Sequence, residues 1–153
     1  MRAALVAVVV LGGCLLHRSE RDDSPPPGGD PPSGSTCRGR GDCASNETCA
    51  RNHVCWPTGE LREIHASWTL RGAPASATTC ATAPNDLSIS FYDSEGSRSD
   101  NVSYTPLACA QGKFTIDLLP PTFNRVAISR QSGDDLREAV VDSNGNAFLD
   151  LSY

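Results

Sequence analysis

Hydrophobic and polar residues alternate in short runs over residues 61–153. In LREIHASWTL, Ile64, Ala66, Trp68 and Leu70 fall on one side; LSISFY aligns Leu87, Ile89 and Phe91, and KFTIDL aligns Phe114, Ile116 and Leu118. RVAIS and AVVDSNGNAFLDL add further runs of the same kind. A period of two sends successive side chains to opposite faces, so each run predicts a strand with one buried face. Turn formers at Ser94–Ser99, Pro120-Pro121, Ser132–Asp135 and Ser143–Asn146 break the runs. Among them Asn144-Gly145 predicts a type I′ hairpin joining the last two strands. Six or seven short strands with no helical period predict an all-β fold, a small antiparallel β-sandwich over 61–153.

The pattern changes upstream. Residues 37–60 read CRGRGDCASNETCARNHVCWPTGE, with four cysteines at C-x5-C spacing and almost no aliphatic side chains. Such a stretch cannot rest on a core, so two disulfides must hold it together. Spacing does not dictate connectivity; the interleaved pairing Cys37–Cys49 and Cys43–Cys55 is the expectation, with the other pairings open. Residues His17–Thr36 hold five prolines and three glycines among polar and charged filler. They bury too little apolar surface to fold and predict a disordered Pro/Gly-rich tether. In polyproline II geometry it would reach roughly 60 Å at most.

Ala3–Leu11 is an apolar run of nine residues behind Arg2. A spanning helix needs about 20 residues. A positive end followed by a brief apolar stretch is instead the layout of a secretory signal. Leu11-Gly12-Gly13-Cys14 resembles the lipobox of bacterial lipoproteins. That resemblance implies a signal peptide over 1–13, cleavage at Gly13–Cys14, and acylation of Cys14. Two or three acyl chains anchor stably where one holds only marginally. Leu15 follows the cysteine; it is not the aspartate that the family associates with inner-membrane retention. The implied address is therefore the cell envelope at the outer membrane.

Cysteine parity points the same way. The chain has seven cysteines, and an odd number in an exported protein needs an explanation. With Cys14 set aside for lipid, six remain for three bridges in an oxidising compartment. Cys80 and Cys109 are left to pair around the LSISFY strand. The expected organisation is thus 1–13 signal peptide, 14–36 acylated cysteine and stalk, 37–60 Cys-rich module, and 61–153 β-sandwich.

Two further resemblances concern architecture. Asp42-Cys43, Glu47-Thr48-Cys49 and His53-Val54-Cys55 resemble short cysteine-rich repeats of exported proteins from Gram-negative soil bacteria; no activity travels with them. Trp68, Ala73–Cys80, Cys109 with Gly112, and the Leu118–Pro121 turn resemble the carboxypeptidase-regulatory-like or Ig-like sandwich of bacterial lipoproteins. This implies a fold and an address, and no chemistry.

The formal charge is −5 with a single lysine, and losing 1–13 removes Arg2 and makes the rest more acidic. Nucleic acid is excluded as a partner on that balance. Anionic headgroups would repel the chain, so membrane attachment has to come through the lipid anchor. The partner class left open is an envelope protein or glycan, with Trp56 and the loop Asp93–Asn101 as candidate contacts. For Trp56 the blander role, packing where module meets sandwich, is preferred. Asp142, Asn144, Asn146 and Asp150 are weak candidate calcium ligands; their spacing suits oxygen ligation, but no glutamate closes the loop. A loop of turn formers explains them better. No cofactor is expected. Zinc at Cys37, Cys43, Cys49, His53 and Cys55 lacks the close cysteine pairs such sites use. Arg40-Gly41-Asp42 spells an integrin-type tripeptide and is set down to chance.

No catalytic signature occurs, and His65, alternating outward in its strand, carries no site. The expectation is a non-enzymatic protein. Secreted forms without an anchor, a disulfide-rich binding protein or a protease inhibitor, stay open as the alternative. So does a glycoprotein modified at Asn46 and Asn101.

Overall fold

The computed structural model describes residues 34–84, 86–94, 101–131 and 135–152. Ala3–Leu16 with Cys14, the stalk to Ser33, and most of the loop after Asp93 lie outside the described residues. Among the described residues ten strands form three sheets, and no helix is long and apolar enough to cross a membrane.

The small sheet is the Cys-rich module. β1 (Glu47–Cys49) and β2 (Cys55–Pro57) pair antiparallel, with Thr48 opposite Trp56. Thr36 adds a bridge to Val54, and the Cys37 N–H donates to the His53 carbonyl at 2.9 Å. Disulfides Cys37–Cys49 and Cys43–Cys55 interleave across this hairpin, with Cα separations of 5.7 and 5.6 Å. Buried Cys37, Ala50 and Cys55 are the only apolar interior the module has, so the bridges do what a core does elsewhere.

The other two sheets face each other as the sandwich. β3 (Arg62–Leu70) is flanked on one side by β10 (Asn146–Leu151) and on the other by β7 (Lys113–Leu119) and the two-residue β4 (Ala73–Pro74). The second sheet runs β6 (Val102–Tyr104), β5 (Leu87–Asp93), β8 (Phe123–Arg130), β9 (Asp135–Val140). Ile64, Ala66, Trp68 and Leu70 are all buried, as are Leu87, Ile89 and Phe91, so the period of two marks the inner faces. Trp68 lies at the centre of this core, and its indole N–H donates to the Cys109 carbonyl at 2.8 Å, which satisfies the one polar atom the ring buries. The Cys80–Cys109 bridge closes the segment containing β5 and β6.

Three features depart from the sequence reading. β10 pairs with β3 in parallel, Asn146 opposite His65 through Leu151 opposite Leu70, although every other strand pair among the described residues is antiparallel. The Asn144-Gly145 turn is no hairpin, because β9 and β10 belong to different sheets and the turn carries the chain across the sandwich. A type I′ turn needs positive φ at both central residues; here Gly145 has φ 81° and Asn144 is not in that region. Finally, Leu118 does not continue the inner row after Ile116. Its φ is 57° and it is only half-buried, while Leu119 is fully buried.

Candidate functional site

A β-bulge explains Leu118. Ile64 pairs with Ile116 and Arg62 with Leu119, so the single residue Glu63 of β3 stands opposite two of β7, Asp117 and Leu118. The left-handed φ of 57° at Leu118 is one that some bulges give to a glycine. A leucine there costs about 1–2 kcal/mol, and its carbonyl is turned out of the sheet toward the module. The Arg51 N–H donates to it at 3.0 Å. Beside it the Arg51 guanidinium bonds both the carbonyl and the carboxylate of Asp117. That bond raises the Arg51 pKa and holds the Asp117 carboxyl below its usual range. Both side chains are about half exposed, 45% and 58%, so the ion pair contributes roughly 0.2–1 kcal/mol at most.

The bulge thus docks the module against one open side of the sandwich. On that side β6 and β7 end the two sheets, and the Tyr104 and Phe114 rings meet across them at 5.0 Å. On the opposite side Arg137 donates to the Asp150 carbonyl at 2.9 Å, linking β9 to β10. Exposed strand edges invite foreign pairing, and the module covers this one only in part.

Between module and β6 runs a cleft. One cavity of about 540 Å³ is lined by Arg38, Arg40, Arg51 and His53 on the module and by Ser103 and Tyr104 on β6. A second, about 470 Å³, lies between Arg51–Val54 and Asn101–Ser103. On the module the Asp42 carboxylate accepts the N–H groups of Arg38, at 2.7 Å, and Gly39, at 3.1 Å. The acid of the Arg-Gly-Asp tripeptide is therefore spent on its own turn. Arg38 and Arg40 are exposed and have no carboxylate partner among the described residues.

The other sequence candidates do not converge. The Asp142 carboxylate accepts N–H bonds from Asn144, at 2.9 Å, and Asn146, at 2.8 Å, which lowers its pKa. Asp150 lies four strand residues on, roughly 13 Å away, bonded to the Gly72 N–H and the Thr69 hydroxyl. The four oxygen-bearing residues therefore form a turn and a strand tie. Cys37, Cys43 and Cys55 bring their sulfurs within 4.8 Å of one another, but each sulfur is committed to a disulfide. His65 points outward, its Nδ1 3.2 Å from the Thr115 hydroxyl and its Nε2 3.9 Å from Glu63. That chain lies on an open sheet face beside Phe148, which is 62% exposed. Trp56 is half-buried in β2, and its indole N–H is buried without a partner among the described residues.

Sequence reasoning missed the cleft. Arg38, Arg40 and Arg51 are balanced within 37–60 by Asp42, Glu47 and Glu60, so no local excess of charge announced them. Compared with protein-family models, with curated proteins and with solved structures, the chain matches none.

Proposed function

We propose that this is a non-enzymatic cell-envelope lipoprotein, cleaved before Cys14, acylated there, and held at the outer membrane. Residues 14–36 would serve as the stalk, and the stapled sandwich as the part presented for binding or structural interaction. The observation that carries the reading is the odd cysteine. Cys37, Cys43, Cys49, Cys55, Cys80 and Cys109 pair among themselves, which leaves Cys14 with no thiol to join, in the position where Leu11-Gly12-Gly13-Cys14 puts the acylated residue. Supporting the non-enzymatic part, the Glu63–His65–Thr115 chain stands on a flat, solvated face, where a reacting group would find neither enclosure nor converging donors.

The test is the intact mass of the mature protein extracted from membranes, beside a Cys14→Ser variant. A mass beginning at Cys14 with acyl chains added, and a variant lost from the membrane fraction, is the expected result. A soluble, unlipidated product would overturn it and favour a secreted binding protein or inhibitor.

A further inference from the structure

The cleft joins two features that seldom meet by chance in an acidic chain. The first is an unpaired strand edge. β6 bonds only to β5, and no N–H or carbonyl of Val102–Tyr104 has a further backbone partner among the described residues. An antiparallel edge leaves the N–H and carbonyl of alternate residues facing outward, here into the cavities beneath Arg51 and His53. The second is cationic. Arg38, Arg40 and Arg51 line the same cavity. Asp117 is engaged by Arg51, and the Asp42 carboxylate is held by backbone N–H groups of its own turn. Arg38 and Arg40 keep their charge for something else.

We propose that this cleft takes an extended acidic peptide segment of a partner protein. The segment would add as a fifth strand along β6, with its carboxylates on Arg38 and Arg40. Strand addition uses main-chain hydrogen bonds for affinity and flanking side chains for choice. Guanidinium groups match carboxylates in fork geometry. A sulfated glycan would meet the arginines and leave the β6 backbone unsatisfied, so the strand edge decides for peptide. A cavity of about 540 Å³ suits a few residues of chain. The proposal deepens the reading above and rests on it for the display of the sandwich to envelope proteins.

The probe is a fluorescein-labelled peptide alternating Glu and Val, with a Gln-for-Glu control, titrated by anisotropy against the exported full chain carrying Cys14→Ser. That variant takes lipid out of the measurement, so a failed titration removes the cleft proposal and leaves the anchor to be judged by mass. Saturable binding is expected for the Glu peptide, weakening with salt. It should fall about tenfold or more in Arg38→Gln/Arg40→Gln, a variant that changes only exposed side chains. Amide exchange at Val102–Tyr104 should slow in the complex. Equal binding of the Gln peptide, unchanged exchange at β6, or no binding would each overturn the proposal. So would a sulfated oligosaccharide that binds while the peptide does not.

Discussion

At Leu118 glycine should be a better replacement than alanine, against the usual order inside a strand. Leu118 holds φ 57° so that its carbonyl can accept the Arg51 N–H. Leu118→Ala and Leu118→Gly both lose the leucine contacts beyond Cβ, so the comparison isolates the backbone. Alanine keeps a left-handed penalty of about 1–2 kcal/mol. Glycine relieves it but loses roughly 0.5–1 kcal/mol through the greater freedom of its unfolded chain. The expected net is about 0.5–1 kcal/mol in favour of Leu118→Gly. Thr115, exposed in the same strand without a positive φ, supplies the control: there alanine should win by roughly 0.5–1 kcal/mol. The difference between the two sites, about 1–2 kcal/mol, cancels the unfolded-state contribution. Urea unfolding followed by fluorescence, with the disulfides kept oxidised, reads it. Buried Trp68 reports on the core and half-buried Trp56 on the module. If glycine is worse than alanine at 118 by the same margin as at 115, the bulge is not a strained element and the docking argument fails.

Other expectations follow from single contacts. A Cβ on Gly145 would lie 2.4 Å from the Glu63 carbonyl oxygen, at φ 81°. Gly145→Ala should therefore cost roughly 2–5 kcal/mol in urea unfolding, while Gly59→Ala, with nothing within 4 Å, should be near neutral. Replacing Cys80 and Cys109 with alanine opens a 29-residue separation, and chain-entropy arithmetic gives a loss of about 3.6 kcal/mol, measurable as a lower urea midpoint. Asp150 and Asp142 have folded pKa values depressed by hydrogen bonds to Gly72 and Thr69, and to Asn146 and Asn144. Depressed carboxyls add stability above their unfolded pKa of about 3.9, lost as pH falls through the folded value. Urea midpoints should therefore drop below about pH 4, and Asp150→Asn should flatten that fall; an unchanged slope would refute the assignment.

Much of the sandwich was legible because burial writes itself as alternation. Ile64, Ala66, Trp68 and Leu70 announced the inner face of β3, and Leu87, Ile89 and Phe91 that of β5. The same rule failed at Leu118, where one extra residue shifts the row and hands the core to Leu119. Nothing in KFTIDLL distinguishes a bulge from a regular strand. Asn144-Gly145 misled in a related way: its turn propensity was real, since the Gly145 N–H donates to the Asp142 carbonyl at 3.0 Å, but where the strand beyond it would pair was not a local property.

The division between sequence and fold has a physical origin. Side chains decide which face of a strand is buried, so the sequence alone determined the all-β class, the need for disulfides in a module without a core, and the inner rows of β3 and β5. Strand neighbours are chosen through backbone N–H and carbonyl groups, which are alike at nearly every residue and carry no spelling. Only the tertiary structure could therefore set β10 parallel to β3, leave one edge of β6 open, and bring Arg38, Arg40 and Arg51 to face it across a cleft.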